Sequence, residues 1–349
     1  MFRRHVMGMT GFGAASLAAA SLAAASLAAA SLAVVSLAVT APAVHAQQVR
    51  SLKLGIVGRR DTPEGVGLQA MIEKIRTDAS GRLSVDLYPS GALGGEREML
   101  EGLQSGGVDL AYVTTAALAN FVPEMQIFDL PFLFRDFAHA SAVFEGPIGA
   151  EYLAKMPGRN LRGLALGGLG FRQLSTSVRA VADLEDLKGL KIRTPVNQIH
   201  LEAWRTLGAL PTPMALSETF LALKQGMLDG QEDPLSAMIG NRFNEVQKFV
   251  TLTRHAFTAT VIVMAPASYA ALLPAEQMLL RDAARLAQRE AREEAEAREV
   301  ANIARLRTQR VIVFETIDHA KFQAALAPAY RHFAQRFGEA AIARIRDTR

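Results

Sequence analysis

The chain has 349 residues, with 38 Lys and Arg against 34 Asp and Glu and no cysteine. A formal charge of +4 is a mild basic bias rather than a nucleic-acid footprint. The missing cysteines exclude disulfides, thiolate nucleophiles, zinc–thiolate sites and iron–sulfur clusters, and a chain of this length can build more than one core without them.

The amino terminus reads as a leader. Arg3 and Arg4 are followed by Ala, Leu, Ser and Val, with no charged residue before Arg50 and with Val44-His45-Ala46 ahead of Gln47. A basic start, an apolar stretch and small residues at its end predict a secretory signal peptide over residues 1–46, cleaved after Ala46, and a periplasmic mature protein. The apolar run is also long enough for a retained anchor. The paired arginines leave Sec and Tat export both open. Ser-Leu-Ala-Ala-Ala recurs from Ser16 at a period of five, which matches neither a heptad nor a solenoid repeat and reads as filler. Removal of the leader leaves 36 − 34 = +2. No later apolar run approaches the roughly 18 residues of a membrane helix.

Beyond the leader, Leu52–Val57 predicts a strand, and Thr62-Pro63-Glu64 starts a helix that runs to about Ser80-Gly81. The alternating Leu83–Tyr88 is a strand, Pro89–Gly95 a loop, Glu96–Gln104 a helix and Val108–Val113 a strand. Such alternation predicts an α/β unit with a largely parallel sheet. The pattern then repeats. Arg162–Leu166 reads as a strand, Asp183–Gly189 as a short helix and Leu190–Arg193 as a strand. Ile199–Leu207 reads as a helix, and Ser217-Glu218-Thr219 as the cap of another that stops near Gly226. Val261–Met264 is a buried strand. Pro274 to about Arg307 is one long helix whose Arg and Glu residues, including the pair Glu294–Arg298, form a solvated face.

Few residues offer enzyme chemistry. His139, His200, His255, His319 and His332 include no pair at metal-ligand spacing, and there is neither a nucleophile elbow nor a Walker loop. Gly167-Gly168-Leu169-Gly170 follows a strand without the Lys-Ser/Thr of a phosphate loop and reads as a hinge. Arg172 and Arg193 stand where apolar strands meet polar segments. Ligands of open α/β sheets lie outside the carboxyl ends of strands, and a guanidinium there matches a carboxylate.

The segment Glu185-Asp186-Leu187-Lys188-Gly189-Leu190-Lys191-Ile192-Arg193-Thr194-Pro195 resembles the DctP-type solute-binding proteins of tripartite ATP-independent periplasmic (TRAP) transporters. The resemblance continues through Leu210-Pro211-Thr212-Pro213-Met214 and Asp229-Gly230-Gln231-Glu232-Asp233-Pro234. Leu87-Tyr88-Pro89-Ser90, Leu93-Gly94-Gly95-Glu96 and Phe128-Asp129-Leu130-Pro131-Phe132 extend it over the mature chain.

The resemblance implies a two-lobed α/β fold of the type II periplasmic-binding-protein kind, with hinge strands and a long bracing helix. Lobe I would comprise 47–169 plus about 259–298, and lobe II 170–258 plus about 299–349. It implies a receptor, not an enzyme, that closes on a small organic acid and delivers it to TRAP membrane subunits. Neither cofactor nor metal nor nucleic acid is expected, and the protein is expected to be a monomer. By position, Arg193 resembles the carboxylate clamp and Arg172 a second arginine. Asp233 stands where the family usually has Asn, Leu216 at a wall position, Glu96 and Thr114 at the distal end, and His255 along the cleft. Asn197 belongs to the same site, and Val57–Arg60 resembles the segment closing the floor, with Arg60 adding positive charge near the mouth. Thr114 and Leu216 fit a smaller acid better than a large sugar acid. A ligand sensor for a receptor kinase and an ABC-importer receptor are the alternatives, the latter disfavoured by the Arg193 block.

Overall fold

A computed structural model describes residues 49–349, so the expected leader and its cleavage point lie outside the described residues. The elements are β1 (Arg50–Gly55), α1 (Pro63–Asp78), β2 (Leu83–Tyr88), α2 (Glu96–Ser105), β3 (Leu110–Thr114), α3 (Thr115–Leu118), α4 (Phe137–Glu145) and α5 (Pro147–Leu153). They continue as β4 (Arg162–Thr176), β5 (Lys191–Thr194), α6 (Gln198–Thr206), β6 (Leu210–Pro213), α7 (Leu216–Lys224), β7 (Gly230–Pro234) and α8 (Leu235–Gly240). The last are β8 (Phe249–Thr251), β9 (Phe257–Met264), α9 (Pro266–Ala270), α10 (Pro274–Thr308), β10 (Ile312–Phe314), α11 (His319–Ala325), α12 (Ala327–Phe337) and α13 (Glu339–Arg346).

Ten strands form one sheet whose main path runs β2-β1-β3-β9-β4-β7-β5-β6, with β8 and β10 branching from β4. The outer stretches are parallel, as the strand–helix alternation predicts. The middle is antiparallel, built by β9 and by a 15-residue β4 that passes from one half of the sheet to the other. Residues 162–171 of β4 pair with β9, and residues 172–176 with β7 and β8.

The strand expected to end at Leu166 therefore continues through the glycine cluster. Gly170 has φ +100°, a left-handed conformation costly for any residue with a Cβ, and it lies within a register shift between Gly168 and Phe171. Pairing on both sides of that shift lets the strand bend without ending.

Helix α10 has 35 residues, about 50 Å at 1.5 Å per residue. Its apolar stripe of Leu280, Ala283, Ala284, Ala287 and Ala291 is buried against Leu68, Met71 and Ile75 of α1. The helices approach so closely that a Cβ on Gly67 would come within 2.2 Å of the Ala287 carbonyl oxygen. Its polar face is less uniformly solvated than expected. Glu294 and Arg298 do pair, but Arg298 also donates to the Asp61 carbonyl, and the largely buried Arg292 pairs with Glu145. These charges tether the helix to α4 and to the loop before α1.

Two smaller expectations change. Residues Asp183–Gly189 hold only one tight 3-10 turn, Leu184–Leu187, closed by the reciprocal Asp183/Asp186 cap. Helix α7 begins at Leu216 without a side-chain cap, and the Thr219 hydroxyl donates back to the Ala215 carbonyl.

Candidate functional site

β3 and β5 lie in opposite halves of the sheet, separated by β9, β4 and β7, and their carboxyl ends lead into α3 and the Pro195–Asn197 loop. Between these segments lies a cleft of about 300 Å³, within the range of small-molecule sites. Glu96, Asn120 and Phe121 line one side of it. Arg193, Leu216 and Ser217 line the other, and Val57 also contributes.

Arg193 occupies the third position of β5 and is only 4% exposed. Its Nε and Nη2 both donate to the Met214 carbonyl, at 2.9 and 2.7 Å. A guanidinium carries five N–H groups, so this anchor leaves both Nη1 hydrogens and one on Nη2 for another partner. Nη1 stands 3.8 Å from Asp233 Oδ2, outside hydrogen-bond reach.

Arg172, also buried, is differently placed. Its Nε and Nη2 donate to the Glu232 carboxylate and carbonyl, and its Nη1 donates to Thr258 Oγ1 at 2.9 Å while lying 3.2 Å from Asp233 Oδ1. Three of its five N–H groups are therefore bonded within the protein, and its Nη1 also faces Asp233. Glu232 is fully buried and is further approached by His255 Nε2 at 3.0 Å and His200 Nδ1 at 3.2 Å. Burial alone would raise the Glu232 pKa, but Arg172 and His200 outweigh it and hold the carboxyl well below the usual range. Asp233 goes the other way: burial raises its pKa, with Arg172 and Arg193 only partly opposing.

On the other wall, both Glu96 oxygens accept from Thr114, one from its backbone N–H and one from its hydroxyl at 3.0 Å. Thr114 also caps α3. Burial raises the Glu96 pKa against these bonds. Glu64 on α1 joins the same field, with burial lifting its carboxyl to about 7 and with Asp233 and Glu96 adding to the rise.

Of the expected residues, the structure brings Glu96, Arg193 and Leu216 to the cleft wall, with Asp233 and Arg172 next to Arg193 and with Thr114 holding Glu96. Three others lie elsewhere. His255 is buried behind Arg172, bonded to Glu232 and to Thr253 and packed edge-on against Trp204. Asn197 caps α6 through its carbonyl oxygen, while its amide donates 2.8 Å to Asp129 and 3.3 Å to the Ala116 carbonyl. Arg60 is exposed and donates to the Leu87 carbonyl, because the turn before α1 directs its side chain over β2.

Sequence reasoning missed Glu232, Glu64, Asp129 and His200. Glu232 was hidden in a strand buried on both faces, where polar and apolar residues show no alternation. Asp129 stands in the Phe128–Phe132 segment that shares the resemblance, but neither it nor His200 carries a local signal of a role in the site. Their roles depend on α6 meeting the turn at Pro123–Asp129, where Asp129 accepts from Thr115 and Asn197 and is lifted by burial to about 6.

A sheet bridged by long central strands, with a cleft at strand ends and a buried guanidinium in its wall, defines a ligand-binding α/β protein of the two-lobed kind. The family model of the bacterial extracellular solute-binding proteins, family 7 (DctP), matches residues 54–336, and the chain belongs to that family. A solute-binding protein of Verminephrobacter eiseniae is 40% identical over 296 residues, covering 85% of this chain and 88% of the relative. The crystal structure of a TRAP periplasmic solute-binding protein from Polaromonas sp. JS666, bound to D-erythronate, superposes with a TM-score of 0.84 at 39% identity, covering 86% of this chain and 99% of that one. The sugar-acid-binding protein DctPAm of Advenella mimigardefordensis, in complex with galactonate, gives 0.82 at 30% identity, covering 86% and 97%. Members of this family are solute receptors. Among the described residues, no helix is long and apolar enough to cross a membrane.

Proposed function

We propose that the protein captures a small organic acid in the cleft and delivers it to TRAP membrane subunits, with residues 1–46 directing export to the periplasm and being cleaved off after Ala46. The observation carrying this is the half-used guanidinium of Arg193. A buried cation with three free N–H groups in the wall of a 300 Å³ cleft is matched by a carboxylate through two parallel, charge-assisted hydrogen bonds. Erythronate and galactonate, bound by the two related structures, are both hydroxylated monocarboxylates.

In this reading, residues 47–169 with about 259–298 form one lobe, and 170–258 with about 299–349 the other. The ligand carboxylate meets Arg193 from one lobe while its distal end meets Glu96 and Thr114 from the other. It therefore favours the closed arrangement by its differential affinity for it. Leu216 forms the apolar wall. Arg172 and His255 act through Glu232 and Asp233 rather than through the ligand.

Arg193→Ala should weaken binding of D-erythronate or a related acid about tenfold or more, since hydrogen bonds to charged groups contribute about 1.5–3 kcal/mol. Calorimetry on the folded variant checks this, and unchanged affinity overturns it.

A further inference from the structure

We infer that Asp233 makes the receptor selective for 2-hydroxy acids, by accepting a hydrogen bond from a hydroxyl on the carbon next to the carboxylate that Arg193 holds. The inference rests on that reading of Arg193 and adds the chemical class of the ligand.

The geometry presents two unfilled valences side by side. Arg193 Nη1 has free hydrogens, and Asp233 Oδ2 lies 3.8 Å from it, too far for a hydrogen bond between them. The other Asp233 oxygen faces Arg172 at 3.2 Å, and Arg172 is fastened by Glu232 and Thr258. Asp233 is thus held in place by a committed arginine and turned beside an uncommitted one. A ligand that fills both needs an acceptor for Arg193 and, immediately beside it, a donor for Asp233. A carboxylate with a hydroxyl on the adjoining carbon supplies that pair.

Other substituents at that carbon fit worse. An ionised Asp233 can only accept. A 2-oxo group would place lone pairs against it, and a bare methylene would leave the free Asp233 oxygen without a donor beside an incoming anion. A 2-ammonium group could donate, but it would sit beside two fixed guanidiniums. The raised pKa of Asp233 is consistent with a carboxyl that gains from an added donor. An Asn at this position would behave differently, because its amide can donate to a 2-oxo oxygen as well as accept from a hydroxyl.

The test uses four ligands that differ only at carbon 2: D-erythronate, 3,4-dihydroxybutanoate, 3,4-dihydroxy-2-oxobutanoate and 2-amino-3,4-dihydroxybutanoate. Binding to the mature protein is measured by calorimetry, with the fluorescence of Trp204, the one tryptophan of the chain, as a second signal. The wild type should bind erythronate about tenfold or more tightly than each of the other three. In the isosteric Asp233→Asn the erythronate-to-oxo ratio should fall about tenfold, while Arg193→Ala should weaken all four. Equal wild-type affinities, an oxo or amino acid bound more tightly than erythronate, or an unchanged ratio in Asp233→Asn would each overturn the role of Asp233. If none of the four binds wild type or either variant, the carboxylate reading of Arg193 fails with it. Binding of all four that survives Arg193→Ala sinks that reading alone.

Discussion

Two parts of the molecule are equally rich in arginine and carboxylate, and they use them in opposite ways. Along the outer face of α10, the Glu294–Arg298 pair is about one-third exposed on each side and competes with water. Around the cleft, Arg172, Arg193, Glu232 and Asp233 are nearly buried, and each contact is made in low dielectric. The contrast shows that charge composition says little until burial is known. The exterior set adjusts the helix, whereas the interior set defines which donor is spent and which remains for a ligand.

Stability measurements can break or sharpen this contrast. The largest effect should come from Arg172→Ala. It leaves Glu232 buried with only the two histidines and should cost about 3–5 kcal/mol in chemical denaturation, the range for removing one partner of a buried ion pair. A loss below about 1 kcal/mol would put the interior cluster on a level with the surface. Next is the pH dependence set by Glu64. Its folded pKa, raised by burial to about 7 from the ordinary 4.5, favours the protonated form in the fold. The folded state then binds more protons than the unfolded state between these values. Its contribution is therefore greatest below pH 4.5 and is lost as pH rises toward 7. Glu64→Gln should flatten the melting temperature against pH over that window, and an unchanged slope would contradict the assignment. The smallest effect should come from Glu294→Ala, within about 0.5 kcal/mol and shrinking further in salt, as a screened surface pair requires.

The site was only partly legible beforehand. Arg193 could be singled out because its strand end before Thr194-Pro195 lies in the segment that carries the family resemblance, and Glu96 through that resemblance alone. His255 and Asn197 share the neighbourhood but serve the protein instead: one holds Glu232 and the other joins α6 to Asp129. No local pattern separates a side chain facing a ligand from one facing its own support, since both are polar residues in apolar surroundings. Arg60 was misplaced for a different reason: two adjacent arginines in an exposed turn send their side chains in different directions.

By itself the sequence determined the strand–helix alternation, the long helix and its apolar stripe, because each follows from local periodicity and from punctuation by Gly and Pro. Tertiary structure decided that β4 runs from one half of the sheet into the other, that Arg172 is largely spent on Glu232, Thr258 and Asp233 while Arg193 keeps three free hydrogens, and that Asp233 stands between them. Those facts depend on which carbonyls and carboxylates lie within about 3 Å, a property of chain segments that are distant in sequence and meet only when the sheet is assembled.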